Sequence, residues 1–207
     1  KPATVSTDLD QRLAVSVAMA LMLAVAGCST KVTRMDVAEV KDLSGAWNDT
    51  DSQQVSEEMI RDVLDRTWLG EFTRTQKRQP AVIVGEVSNL SHEHINVKTF
   101  VADMERALIN SDKVQFVASS TERQEVRDER KDQDLHASEA TRKAMGQEKG
   151  ADFMLKGTIN TIIDASGKTQ LRYYQVDLTL ISLVDNRKVW VGQKKIKKLV
   201  ERSNLRF

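Results

Sequence analysis

The sequence predicts an α/β protein built on a mixed, mostly antiparallel sheet packed with helices. Two observations carry that expectation. In the C-terminal third, Tyr174, Val176, Leu178 and Leu180 alternate with Gln175, Asp177 and Thr179, the two-residue period of a strand with one face on a core. Upstream, apolar residues recur at three- and four-residue spacing on either side of a short Val/Ile run, which is the order helix, strand, helix.

The elements follow in order. In Ser52 to Thr67, Val55, Met59, Val63 and Leu64 form an apolar stripe that continues to Trp68, with Glu57, Glu58 and Asp62 early and Arg66 late, so the charges match a helix dipole. Ala81 to Val87 is too short for a helix and rich in β-branched residues, hence a buried central strand. After the polar loop SNLSHEHIN, the residues Phe100, Val101, Met104, Leu108 and Ile109 predict a second helix, and Val114 to Ala118 a short strand. Ser120 to Gly150 is dense in charge, with Val126, Leu135, Ala137, Ala140, Ala144 and Met145 as its apolar positions. It reads as two helices broken near Asp132 to His136, the second closed by Gly150 as a C′ glycine. Two hairpins complete the domain: Phe153 to Ile163, a turn at DASGK, Leu171 to Val184, a turn at Asp185 and Asn186, and Lys188 to Leu199.

The 207 residues suit one domain with additional segments. Lys and Arg total 31 against 30 Asp and Glu, so no net field directs the chain to nucleic acid or an acidic substrate. The single cysteine, Cys28, has no internal partner for a disulfide, and its position explains it. Leu13 to Ala26 (LAVSVAMALMLAVA) is uncharged, follows Arg12 and ends at Ala26 and Gly27. As a helix it would be about 21 Å long, short of a bilayer core of roughly 30 Å. Val25, Ala26, Gly27 and Cys28 resemble a lipobox. That resemblance to bacterial lipoproteins implies a signal peptide over 1–27, cleavage between Gly27 and Cys28, and diacylglycerol (with palmitate-type acyl chains) on the Cys28 thiol. Ser29, in place of Asp, favours sorting to the outer membrane by the same resemblance. Residues 28–51 read as the lipidated cysteine and a flexible tether, roughly 25 to 30 Å in root-mean-square span, which leaves 52–207 as a single periplasmic domain.

Three stretches carry a further resemblance: FVADMERALINSDKVQFV, TRKAMGQEKGADFMLKG and YYQVDLTLISLVDNRKVWVGQKKI. They resemble the family of LpoB, outer-membrane lipoproteins that activate bifunctional class A penicillin-binding proteins. The resemblance implies a non-catalytic domain, similar in shape to the N-terminal domain of TolB, that docks on a peptidoglycan synthase, stimulates cell-wall synthesis and so bears on cell shape. One departure is plain: the long Pro-rich linker of such relatives is missing, the prolines being Pro2 and Pro80. A structural component of an envelope assembly, as in the related curli-secretion lipoproteins, is the alternative.

Neither a catalytic group nor a cofactor is expected. The chain has no GxSxG, HExxH or Walker-type glycine loop. His92 and His94 flank Glu93 and could supply two metal ligands, but zinc sites need three or four, so solvated loop surface is the favoured account and no metal is assigned. The basic end, Lys194, Lys195, Lys197, Lys198 and Arg202, fits an edge strand guarded by lysines or a contact with an acidic partner. Trp190 suits the core. Strand parity puts Tyr173 on the wetter face, which makes it the first candidate partner contact; Lys194 and Lys197 of the basic end are the others. The stretch from Thr121 to Asp134 is either a solvated helix face or a docking surface.

Overall fold

The structure is a computed structural model that describes residues 32–36 and 39–201. The signal peptide, Gly27, Cys28, Ser29 and Arg202 fall outside the described residues. Two compact units divide the chain, Lys1–Glu39 and Val40–Phe207. In the first, the described residues form no helix or strand, and the Glu39 N–H donates to the Asp36 carbonyl.

The second unit holds the elements. Helix α1 (Asp49–Leu64) starts at a capping box: the Asn48 side chain accepts from the Asp51 N–H, and the Asp51 carboxylate accepts from the Asn48 N–H, both at 3.0 Å. Its buried stripe is Val55, Met59, Ile60, Val63 and Leu64. The expected continuation to Thr67 and Trp68 does not occur. Asp65 and the extended Arg66 break the chain, and a second helix, α2 (Thr67–Gln76), begins. The Trp68 indole donates to the Val63 carbonyl at 2.7 Å, satisfying one of the acceptors that the end of α1 leaves open. Trp68 and Phe72 then meet the Phe153 ring edge-on, at centroid distances of 4.9 and 5.3 Å.

Strand β1 (Ala81–Asn89), helix α3 (Val97–Asn110) and strand β2 (Gln115–Phe116) form the expected strand–helix–strand unit, with Phe100, Met104 and Leu108 buried one turn apart on α3. Helix α4 (Ser120–His136) is one unbroken helix that runs through the Asp132–His136 region where a break was expected. No helix follows it: residues 137–152 are turns and extended chain, and Gly150 does not adopt a positive φ. Ala140, Ala144 and Met145, which suggested a helix there, are all exposed, so no buried stripe supports one.

Strands β3 (Phe153–Ser166), β4 (Thr169–Ser182) and β5 (Lys188–Glu201) complete a five-stranded sheet in the order β2-β1-β3-β4-β5. β1 runs parallel to β2 and β3, whereas β3–β4 and β4–β5 are long antiparallel ladders. β1 is therefore an interior strand, as expected, and β5 an edge. Gly167 (φ +59) supplies the positive φ that the two-residue turn between β3 and β4 requires. Where β1 and β3 begin, Asp152 takes both nitrogens of the Arg78 fork at 2.7 Å and the Ala81 N–H at 2.7 Å. The Arg78 bond holds the Asp152 carboxyl below its ordinary pKa.

Helices α1 and α3 cover one face of the sheet, where Val55, Met59, Val63, Phe100 and Met104 pack with Leu155, Ile159, Val176, Leu178 and Leu180. Trp190 closes this core at the β5 edge; it is buried, and its indole donates to Asp62 on α1 at 2.8 Å. The indole lies over Gly192, where an added Cβ would stand 2.1 Å from the ring. Gly192→Ala is therefore expected to displace Trp190 and break its bond to Asp62, at a cost of about 2 to 3 kcal/mol. Urea unfolding would read this as a lower midpoint at unchanged slope. A midpoint equal to that of the unaltered protein would mean that β5 moves aside freely.

Candidate functional site

The face of β3–β5 opposite the helices is a ladder of cross-strand rows. Ile162, Tyr173 and Lys197 form one row; Asn160, Gln175 and Lys195 the next; Thr158, Asp177 and Gln193 the third. Side-chain hydrogen bonds order this surface. The Tyr173 hydroxyl donates to Gln175 (3.1 Å), Gln175 to Asp177 (2.8 Å), and Gln193 to the other oxygen of Asp177 (2.8 Å). Between these polar groups stand Ile162, Val191 and Leu199, 66, 62 and 63 % exposed. Apolar side chains beside fixed polar ones and two free-standing lysines are suited to protein contact, where buried apolar area contributes affinity and charge sets encounter rate and register.

A second constellation lies on the helix side of the same hairpin. Glu93, from the loop after β1, receives the Tyr174 hydroxyl at 2.8 Å, Arg172 Nη1 at 2.9 Å and the Trp47 N–H at 3.3 Å. Burial first, and the Glu93 carboxylate second, push the Tyr174 pKa well above 10, so the phenol stays protonated as a donor. Nearby, Lys198 reaches Asp42 at 2.7 Å, Asp51 at 2.5 Å and the Ala46 carbonyl at 3.1 Å. Burial works against the lysine charge, but the two carboxylates more than offset it and raise the Lys198 pKa. In return, the bond from Lys198 lowers that of Asp42. Trp47 packs edge-on against Tyr174 and Phe100 at 5.6 and 6.3 Å. Residues 42–48 are thus a strap bonded to the sheet, and the ordered domain begins before the expected residue 52.

Residues 51–196 match the family model of the peptidoglycan-synthase activator LpoB. The chain belongs to the LpoB family. It is similar to the solved LpoB C-terminal domain from Escherichia coli, at 13% identity over 72% of this chain and 99% of that one, with a TM-score of 0.44. It is also similar to the NMR structure of E. coli LpoB, at 14% identity over 86 and 84% of the two chains and a TM-score of 0.40. For the lipoprotein GNA1162 from Neisseria meningitidis the values are 16%, 60 and 87%, and 0.39. No curated protein matches the chain significantly.

The LpoB family is one of regulators, not of catalysts. Of the three candidate contacts, Tyr173 and Lys197 are direct cross-strand neighbours on the open face. Lys194 is not with them: it lies on the helix side of β5 and pairs with Glu58. Strand parity divides the basic end in the same way, with Lys195 and Lys197 exposed and Lys198 held inside by the strap. The account of the His92–His94 loop as plain solvated surface needs correction. Both histidines are exposed, but Glu93 between them is mostly buried and joins three elements. Among the described residues no group of three or more His, Cys, Asp or Glu is placed to hold a metal, and no helix is long and apolar enough to cross a membrane.

Proposed function

We propose that this chain activates a bifunctional class A penicillin-binding protein by docking on it, stimulating peptidoglycan synthesis without itself making or breaking a bond. The family match over residues 51–196 is the observation that carries the proposal. The open face of β3–β5, which carries Tyr173 and Lys197 side by side, supports it as the surface of contact. Activation requires only that the domain bind the active synthase conformation better than the inactive one. A difference of about 1 to 3 kcal/mol shifts the equilibrium some five- to 150-fold. Cleavage after Gly27 and lipidation of Cys28 would hold the domain on the periplasmic face of the outer membrane, since acyl burial adds about 0.8 kcal/mol per methylene.

The test is glycan polymerisation on lipid II by the organism's class A synthases, with and without the purified protein. Several-fold acceleration of one synthase, with no turnover by the protein alone, is expected. Tyr173→Ala combined with Lys197→Glu should weaken that effect about tenfold while leaving the melting temperature in place, because both side chains stand outside the core. Acceleration of none of the synthases by a folded protein would refute activation. Full acceleration by the double variant would move the contact elsewhere on the domain.

A further inference from the structure

Helix α4 buries no side chain, although it is seventeen residues long. Its less exposed positions are Arg123, Arg127, Arg130 and Gln133, so an arginine stripe stands where an amphipathic helix normally carries apolar residues. These arginines converge on Glu148, in the irregular segment after the helix. Arg127 grips it through two bonds of 2.8 Å, and Arg130 stands 3.6 Å from it. With Lys149 alongside, four cations stand near one carboxylate, and three of them, Arg123, Arg130 and Lys149, line a cavity of 240 Å³ with Glu148, Phe116 and Val126. Three neighbouring acids of α4 are engaged elsewhere: Glu122 caps Ser119, Asp128 pairs with Lys131, and Glu129 accepts from Gln133. Two guanidinium nitrogens in this cluster are shielded from solvent and make no hydrogen bond among the described residues: Arg123 Nε, and Arg130 Nη1, which reaches Glu148 only as an ion pair at 3.6 Å.

Shielded guanidinium donors without a hydrogen bond are costly, and a second anion would satisfy them. A carboxylate is already supplied by Glu148 and leaves most of the positive charge uncompensated. A phosphate carries up to two charges and three acceptor oxygens, which fits several arginine forks at once. We propose that this cavity binds a phosphate group, with Arg123 and Arg130 as its anchors and Glu148 as a built-in competitor for Arg127.

The probe is inorganic phosphate, titrated at low salt into the purified full-length protein, with arginine Nε–Hε NMR signals and calorimetry as readouts and citrate as the carboxylate control. Phosphate should shift the Arg123 signal, and Arg130→Gln should weaken binding at least about tenfold. Glu148→Gln should strengthen it several-fold by releasing Arg127, a gain that non-specific attraction to a basic surface would not reproduce. Arg130→Lys keeps the charge, loses the fork and should fall between. Far-UV spectra and melting curves verify that each variant folds. A free phosphate as the natural occupant would leave phosphatidylglycerol vesicles unbound, whereas a phosphate ester on a lipid headgroup would bind them in preference to phosphatidylcholine. Absence of any shift at tens of millimolar phosphate in both the unaltered protein and Glu148→Gln, or citrate binding as well as phosphate, overturns the proposal.

Discussion

A chain that begins at residue 52 is expected to lose most of the stability that one beginning at residue 40 retains. The deletion removes Asp42 and Asp51, leaving Lys198 inside the fold without its carboxylates. Breaking one side of a buried pair costs about 3 to 5 kcal/mol. It also removes Asn48 and the first turn of α1, whose capping box contributes about 1 kcal/mol. Trp47 goes too, and with it the edge-on contacts to Tyr174 and Phe100 and the bond from its indole to Ser52 at 2.7 Å. These losses share partners and will not add strictly. Even so, their sum exceeds about 5 kcal/mol, the lower end of what holds a whole domain together. Urea unfolding of the two chains decides the matter. The shorter one should unfold at much lower denaturant or be unfolded in buffer, and Lys198→Met in that background should restore part of the loss by removing the orphaned charge. Equal midpoints would show that the strap contributes nothing to stability.

The start of the domain was hard to place from sequence for a physical reason. Residues 42–51, DLSGAWNDTD, are rich in turn formers and have no period, which is how a tether reads. What fixes them is pairing with residues far along the chain: Trp47 with Glu93, Tyr174 with Gly45, Lys198 with Asp51. Local periodicity carries no trace of such contacts. The one local signal was the Asn48–Asp51 pair at capping-box spacing, disguised because Asp stands where Glu or Gln is usual. The antiparallel half of the sheet, by contrast, was legible almost residue by residue. There each side chain's face follows from its parity, and Tyr174, Val176, Leu178 and Leu180 all go inward. Parity also separates Tyr173 from Tyr174. Applied to β5, it would have split Lys194 and Lys198 from Lys195 and Lys197, so only two of the three candidate contacts share a surface. The second helix expected before Gly150 failed for the opposite reason: alanines at helical spacing suggest a stripe, but they supply too little apolar surface to dock one.

Glu93→Ala should be the most damaging single substitution among the polar residues. Arg172 and Glu93 have side chains only 15 and 16 % exposed, so removing the carboxylate leaves a guanidinium with little access to water. The same change strips the Tyr174 hydroxyl of its principal acceptor at a fully buried position, leaving the Gly45 carbonyl at 3.2 Å as its partner. It also detaches the Trp47 N–H of the strap. Together these predict a loss of about 3 kcal/mol, or a fall in melting temperature of roughly 6 to 12 °C for a domain of this size. Tyr174→Phe should cost no more than about 1 to 2 kcal/mol, because Glu93 keeps Arg172. The double variant should cost less than the sum of the two, since the hydroxyl and the carboxylate are one interaction. Because this cluster lies on the helix side of β4 and Tyr173 on the open side, Glu93→Ala should lower stability without lowering stimulation of the synthase at temperatures where the domain is folded. A folded Glu93→Ala protein that no longer stimulates would instead place the docking surface at the strap.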